Sequence, residues 1–351
     1  MKFKRLFTIF MLVCVLCFTA CDTTERSAAE GVNVTQESVT SNEYPNKYQS
    51  FKDVASAKYL IPGLKQKFIP QGMDVWEEKN LLLISGYFKS TDDAPSSMIV
   101  TVDLTTGNFV GKYSLKKPDG NFYTGHAGGL TVTGKRVYIS SEGNLYGINL
   151  SKIESSTACD LTFDEVIKTP TRGAFCNYSG GYVWVGDFYH DSPNYQTPTW
   201  RHQRSPFGTL FCAWMVGYKL NSDGLITYDE SLEYNVPDVI LSVPDELQGA
   251  TVDGDRIIFS RSNGRSNDSH IYIYQNPLST ECADKITLLG KEVPHWYLEN
   301  DTRSHKITNM PMSQAIVKYG DKFLLLYESG ADAYLNNGGK NPTDRVWEVT
   351  L

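Results

Sequence analysis

"LQGATVDGDRIIFSRS", residues 247 to 262, reads as a polar residue and a glycine, a short apolar run, a Gly-Asp turn and a second apolar run. Two runs of β-branched and aromatic residues joined by a tight glycine-containing turn signal a β-hairpin. The pattern recurs as "QGMDVWEEKNLLLISG" from Gln71, "GGLTVTGKRVYISS" from Gly128, "RGAFCNYSGGYVWVG" from Arg172 and "QAIVKYGDKFLLLYES" from Gln314. Successive copies begin 57, 44, 76 and 66 residues apart.

Further strand-like runs follow several copies: "SMIVTVDLTTG" at 97–107, "NLYGINL" at 144–150, "MVGYKL" at 215–220 and "SHIYIYQNPL" at 269–278. A repeat of roughly sixty residues with about four strands has the size of a β-propeller blade. Five copies predict an all-β, five-bladed propeller formed as one domain by residues 48–351. A β-sandwich would also alternate polar and apolar residues, but it would not place a polar residue or glycine at the same point before the same hairpin five times. The terminal "DRVWEVTL" lacks a hairpin of its own and is expected to close the ring in the blade opened by residues 50–115. Only "FKDVASAKYL" (51–60) and "NLSKIESS" (149–156) read as helical.

The innermost strand of each propeller blade lines the central axis, where neighbouring backbones crowd. Glycine there permits close approach. The preceding polar residue then stands at the channel mouth, a position read for Gln71, Arg172, Gln248 and Gln314, with His126 two residues before Gly128. The loop leaving each second strand shares that face. These loops are long: 86–97, 140–143, 186–212, 261–270 and 328–344, against minimal turns on the other side. Long loops gathered over one opening are usually functional.

The loop 186–212 is the richest, holding Asp187, Tyr189, His190, Asp191, Tyr195, Trp200, Arg201, His202 and Arg204, and Arg261 begins a second such loop. Aromatic platforms beside planar cations suit sugar stacking, carboxylate recognition or an aromatic peptide. A lid packed on its own side chains would use the same residues. Asp74 with Glu142 or Asp187 are the candidates for a carboxylate pair of the kind that hydrolyses glycosides. Asp92, Asp93, Asp332 and Asp344 could ligate Ca²⁺ with loop carbonyls, although none has diagnostic spacing. No G-x-S-x-G, H-E-x-x-H or phosphate-cradling glycine loop occurs.

The N-terminus reads as an address. Lys2, Lys4 and Arg5 precede the apolar "LFTIFMLVCVLCFTA" (6–20), too short for a comfortable span. Thr19, Ala20 and Cys21 resemble a bacterial lipobox, with Phe18 where Leu is usual. That resemblance implies cleavage after residue 20 and lipid on Cys21, anchoring an exported protein to membrane lipid. Residues 21–47, rich in Ser, Thr, Glu and Asn, read as a flexible tether. Without Lys2, Lys4 and Arg5, thirty basic residues face forty acidic ones, a net charge of −10. Such a chain, with no basic run, does not suit nucleic acid. Cys159, Cys176, Cys212 and Cys282 remain in the mature chain; three pairings are open, Cys176 with Cys212 among them, as are four buried thiols.

The segments "IPQGMDV", "TGHAGGL", "LQGATVDGDRIIFSRS" and "MSQAIV" resemble a group of exported, largely uncharacterised bacterial β-propeller proteins whose blades open on Gln-Gly and "GHAGG". The resemblance covers roughly residues 65–351 and implies the fold but no activity or cofactor. Two functional readings follow. One is a surface-anchored propeller that binds an extracellular glycan, peptide or partner protein at the channel mouth. The other is a carbohydrate hydrolase or lyase acting there through His126, Arg172 and a carboxylate.

Overall fold

The computed structural model describes residues 27–90 and 92–351. The segment read as a lipobox, with Cys21, lies outside the described residues. Five four-stranded antiparallel units surround one axis. Their inner strands are Phe68–Trp76, Gly129–Val132, Phe175–Ser179, Leu247–Asp253 and Ser313–Tyr319. Each touches the next, and the last touches the first, so the ring is closed.

Strand alternation explains the core. Successive side chains point to opposite faces of a sheet, and in a propeller both faces meet a neighbouring blade. In the second strand of blade 1, Leu82 and Ile84 enter the apolar core shared with blade 5, whereas Leu83 enters the one shared with blade 2. Blades 2 and 3, 3 and 4, and 4 and 5 share three further cores. Each fully buried Leu, Ile or Val contributes roughly 1.5–3 kcal/mol, distributed around the ring.

The inner glycines meet the crowding that the sequence implies. A Cβ on Gly72 would stand 2.3 Å from the backbone nitrogen of Leu130, and one on Gly129 would stand 2.2 Å from that of Cys176. Gly249 faces the backbone of Ala315 at 2.8 Å in the same way. Across the hairpins, Gly72, Gly129 and Gly249 pair with Ser85, Ser140 and Ser260. In blade 3, Phe175 takes this register, opposite Gly186. Ala174 is therefore the counterpart of Gln71, and Arg172 sits two residues earlier, in the entering loop.

Closure differs in one respect from expectation. The C-terminal strand Arg345–Val349 is the third strand of blade 5, and Ala55–Leu60 adds the outer strand to it. The ring closes through the C-terminal strand, but in the last blade, with the N-terminal segment as the donated piece. "FKDVASAKYL" accordingly splits into a short helical turn and this strand, because Ala55–Leu60 completes a sheet edge. Leu150–Glu154 is helical as read. Two pairs of neighbouring blades are also strapped together: Ala158–Thr162, from the blade 2 segment, pairs in parallel with Phe109–Lys116 of blade 1, and Lys291–Tyr297, from the blade 4 segment, with Val239–Val243 of blade 3.

Residues 27–47 are not a free tether. Ala29 and Val32 are buried in the core between blades 5 and 1. Gln36 donates to the carbonyls of Leu60 and Gly107 and accepts from the Phe109 N–H. Asp344 accepts from Ser38, Val39 and Thr40. Hydrogen bonding and two apolar anchors order a segment whose composition alone suggests disorder. All four described cysteines are free thiols. Cys176 faces the core between blades 2 and 3 and Cys212 the one between blades 3 and 4, so the Cys176–Cys212 staple does not form.

Candidate functional site at the channel mouth

A cavity of about 570 Å³ opens where the inner strands begin. Gln71, Gln248 and Gln314 line it, as do His126 and Arg172. All five connections on this face contribute: Tyr87 from the first, Glu142 from the second, which is a two-residue turn and not a long loop, Phe188 and Tyr195 from the third, Arg265 from the fourth, Glu328 and Tyr334 from the fifth. This is the face onto which the loops leaving the second strands emerge.

Its chemical centre is Glu328, at the end of the strand Lys322–Tyr327. Gln71 Nε2 donates to Glu328 Oε2 at 2.7 Å. Gln314 and Tyr334 also hydrogen-bond this carboxyl, and Tyr334 reaches Tyr87. Glu328 keeps some accessible surface, but that surface opens into the cavity. Burial pushes its pKa up to about 7 against the pull of those three donors and the Arg265 charge. A carboxyl poised near neutrality can hold or release a proton at physiological pH. Burial, and next the nearby Glu328, push the Tyr334 hydroxyl well above its usual range, so it stays a donor.

His126 faces the cavity with its ring 4.5 Å from that of Tyr87. Desolvation lowers its pKa, with the Glu142 charge pulling the other way. Ala127, Glu142 and Met312 adopt left-handed backbone, with φ of 49°, 51° and 67°. Such conformations are costly for residues with a side chain and gather at functional sites. Arg172 Nη1 donates to the Gln196 carbonyl at 2.9 Å, and Arg265 Nη1 to that of Asn337 at 2.8 Å. Among the described residues, neither guanidinium is ion-paired with a carboxylate.

The loop 187–212 holds residues of another kind. Asp187 is fully buried; Arg201 Nη1 reaches both its carboxylate oxygens, at 2.9 and 2.7 Å, and the N–H groups of Arg172 and Trp214 donate to it as well. This pair fastens the loop to blade 3 and does not line the cavity. His202 Nε2 is bonded to Thr197 Oγ1 at 3.0 Å. His190 lies 3.7 Å from Glu246, and Arg261 pairs with the same carboxylate. Trp200 stacks on Tyr234 with centroids 6.2 Å apart. Of that loop, only Phe188, Asn194 and Tyr195 line the cavity.

Other nominated groups separate as well. Asp74 lies toward the hairpin end of its strand, at the far end of the axis, so it does not converge with Glu142 or Asp187. Asp344 anchors residues 38–40 and Asp93 pairs with Lys67. Among the described residues, Asp92, Asp93, Asp332 and Asp344 do not form a metal-holding cluster of acidic, His or Cys groups. Glu328 was not nominated from sequence. Its only signal was its place at the start of the fifth long loop.

A serine, a histidine and an aspartate do align elsewhere. Ser242 Oγ lies 2.8 Å from His295 Nε2, and His295 Nδ1 lies 2.6 Å from Asp284 Oδ1. Ser242 and His295 have no exposed surface. No substrate reaches that hydroxyl, and the chain of bonds instead joins the added strand Lys291–Tyr297 to blade 3.

No family model and no curated protein matches the chain. Among solved structures, the glutaminyl cyclase of Myxococcus xanthus is similar at 13% identity and a TM-score of 0.39, over 84% of this chain and 95% of that one. A β-xylosidase designated RS223 is similar at 10% identity and a TM-score of 0.43, over 84% and 94%. Hydrazine synthase of Kuenenia stuttgartiensis is similar at 10% identity and a TM-score of 0.32, over 74% and 55%. At these scores none of them assigns a residue or a reaction to this chain, whose five-bladed β-propeller fold is shown by its own strand order.

Proposed function

We propose that the channel mouth binds a hydroxyl-rich ligand of the carbohydrate class, carrying an acidic group, outside the cytoplasm. The observation that carries this reading is the set of side chains around Glu328. Gln248 and Gln314 offer amide groups and Gln71 its amide oxygen, its two N–H groups being held by Glu328 and the Pro70 carbonyl, and tyrosine rings beside them supply apolar faces for sugar stacking. Arg172 and Arg265 overlook the same cavity and, among the described residues, form no ion pair with a carboxylate, which suits an anionic substituent. The test is a glycan array followed by calorimetry on the mature protein. Arg172→Ala is expected to weaken capture of an acidic glycan about tenfold or more. Equal affinity in wild type and variant would remove Arg172 from the site.

The raised pKa of Glu328 favours a second reading, in which this carboxyl acts as general acid on the bound sugar. Cleavage products released from an array hit by wild type, and not by Glu328→Gln, would establish it. Lipidation of Cys21 is part of the same proposal. Since Ala29 packs against the strand Ala158–Thr162 at the outer edge of blade 1, a lipid on Cys21 would hold that edge within about 30 Å of the membrane. Incorporation of a labelled fatty acid by wild type but not by Cys21→Ser tests the anchor.

A further inference from the structure

The opposite end of the axis carries a second constellation. The inner strands present polar residues there: Asp74, Thr131, Asn177, Ser179, Thr251, Asp253 and Lys318. A cavity of about 350 Å³ is lined by Asp74, Asn177, Tyr178, Thr251, Asp253 and Lys318, among others. Asp253 is neutralised, paired with Lys318 and with Arg256 at 2.6 Å.

Asp74 has no such compensation. It is 8% exposed and accepts from the Val75 N–H at 2.8 Å, the Thr131 hydroxyl at 2.6 Å and the Val132 N–H at 2.8 Å. Its oxygens retain lone pairs beyond these bonds. Beside it, Asn177 Oδ1 and Thr251 Oγ1 have no hydrogen-bond partner, although the two residues are 3% and 1% exposed. A buried oxygen left unpaired is costly, and both residues border the same void. An uncompensated carboxylate, an amide oxygen and a hydroxyl form an all-oxygen donor set drawn from three blades. That chemistry selects a hard cation over a soft metal.

We propose that this end of the axial channel is a cation site, in which Asp74, Asn177 and Thr251 take Ca²⁺ with water completing its shell. The ion would satisfy both orphaned oxygens and tie blades 1, 3 and 4 together across the axis. A single protein charge implies weak affinity, on the order of 10⁻⁴–10⁻³ M. The site is independent of the channel mouth and needs no ligand there.

The test uses chelator-treated mature protein. Tb³⁺ is expected to bind with luminescence sensitised by Tyr178, to be displaced by Ca²⁺, and Ca²⁺ is expected to raise the melting temperature by a few degrees. Thr251→Val keeps the side-chain shape and removes one donor. It is expected to fold, to melt no lower than wild type in chelator, and to lose Ca²⁺ affinity about tenfold or more. Asn177→Leu is expected to show the same loss. Absence of sensitised Tb³⁺ emission overturns the proposal, as does an equal Ca²⁺ response in wild type and both variants. A melting shift produced by NaCl but not by CaCl₂ at matched ionic strength also overturns it.

Discussion

Gln71 of the first blade donates a 2.7 Å hydrogen bond to Glu328 of the last. The bond therefore crosses the seam where the ring closes, between the strands Phe68–Trp76 and Lys322–Tyr327. Closure of the fold and assembly of the candidate site are one event at this point. A propeller that failed to close would leave the Glu328 carboxyl in water, with an ordinary pKa and none of its amide partners.

That seam makes a pH-dependent prediction. The folded pKa of Glu328 is about 7 against an ordinary 4.5, so the folded protein holds a proton that the unfolded chain has already lost. Its contribution is favourable at low pH and falls away as pH rises from 4.5 to 7. Glu328→Gln, which cannot ionise, should gain up to ~3 kcal/mol over wild type as pH goes from 4.5 to 8. Urea unfolding at both values checks it; a constant difference between the two proteins would contradict it.

His295 has the opposite sign. Burial lowers its pKa despite Asp284, so below the unfolded value of 6.5 the unfolded chain binds the extra proton. Its contribution is present above that pH and is lost as pH falls toward the folded value. His295→Asn should flatten the fall in urea midpoint below pH 6.5, and an unchanged slope would show that His295 does not titrate on unfolding.

The inner glycines give a steric prediction. Gly129→Ala places a methyl 2.2 Å from backbone that cannot yield, and should cost about 3 kcal/mol or more. Gly134→Ala, in an open turn with nothing within 4 Å, should stay within about 0.5 kcal/mol of wild type. Thermal unfolding of the two variants, side by side, is the measurement.

The buried pair behind the third loop should behave as a unit. Removing Arg201 alone leaves the Asp187 charge stranded and should cost roughly 3–5 kcal/mol, whereas changing both residues to Leu should cost clearly less than the two single changes together. A double-mutant cycle in urea reads the coupling. Additive single effects would mean that the pair is not coupled.

The repeat made the fold legible because its cause is local: in blades 1, 2 and 4 the inner strand opens on a glycine that a neighbouring backbone nearly touches, while Phe175 takes that register in blade 3 and Ala315 follows Gln314 in blade 5. Gln71, Gln248 and Gln314 were legible for the same reason. Arg172 reached the cavity by a different route, since Ala174 takes its register and the guanidinium swings in from the preceding loop. The aromatic and charged residues of 187–212 misled because Asp187 and Arg201 use their charge on each other. Glu328 showed only as the first residue of the loop 328–344, for its character comes from burial against Gln71, 257 positions away, together with Gln314 and Tyr334. Ordering of residues 27–47 depends likewise on distant acceptors and donors such as Asp344.

The most direct test is diffraction from crystals of the protein soaked with the strongest acidic array hit. Density is expected over Glu328, with ligand oxygens in hydrogen-bond reach of Gln71 or Gln314 and an anionic group toward Arg172. Density seated instead on the exposed Trp200–Tyr234 stack, with the channel mouth unchanged, would contradict the account.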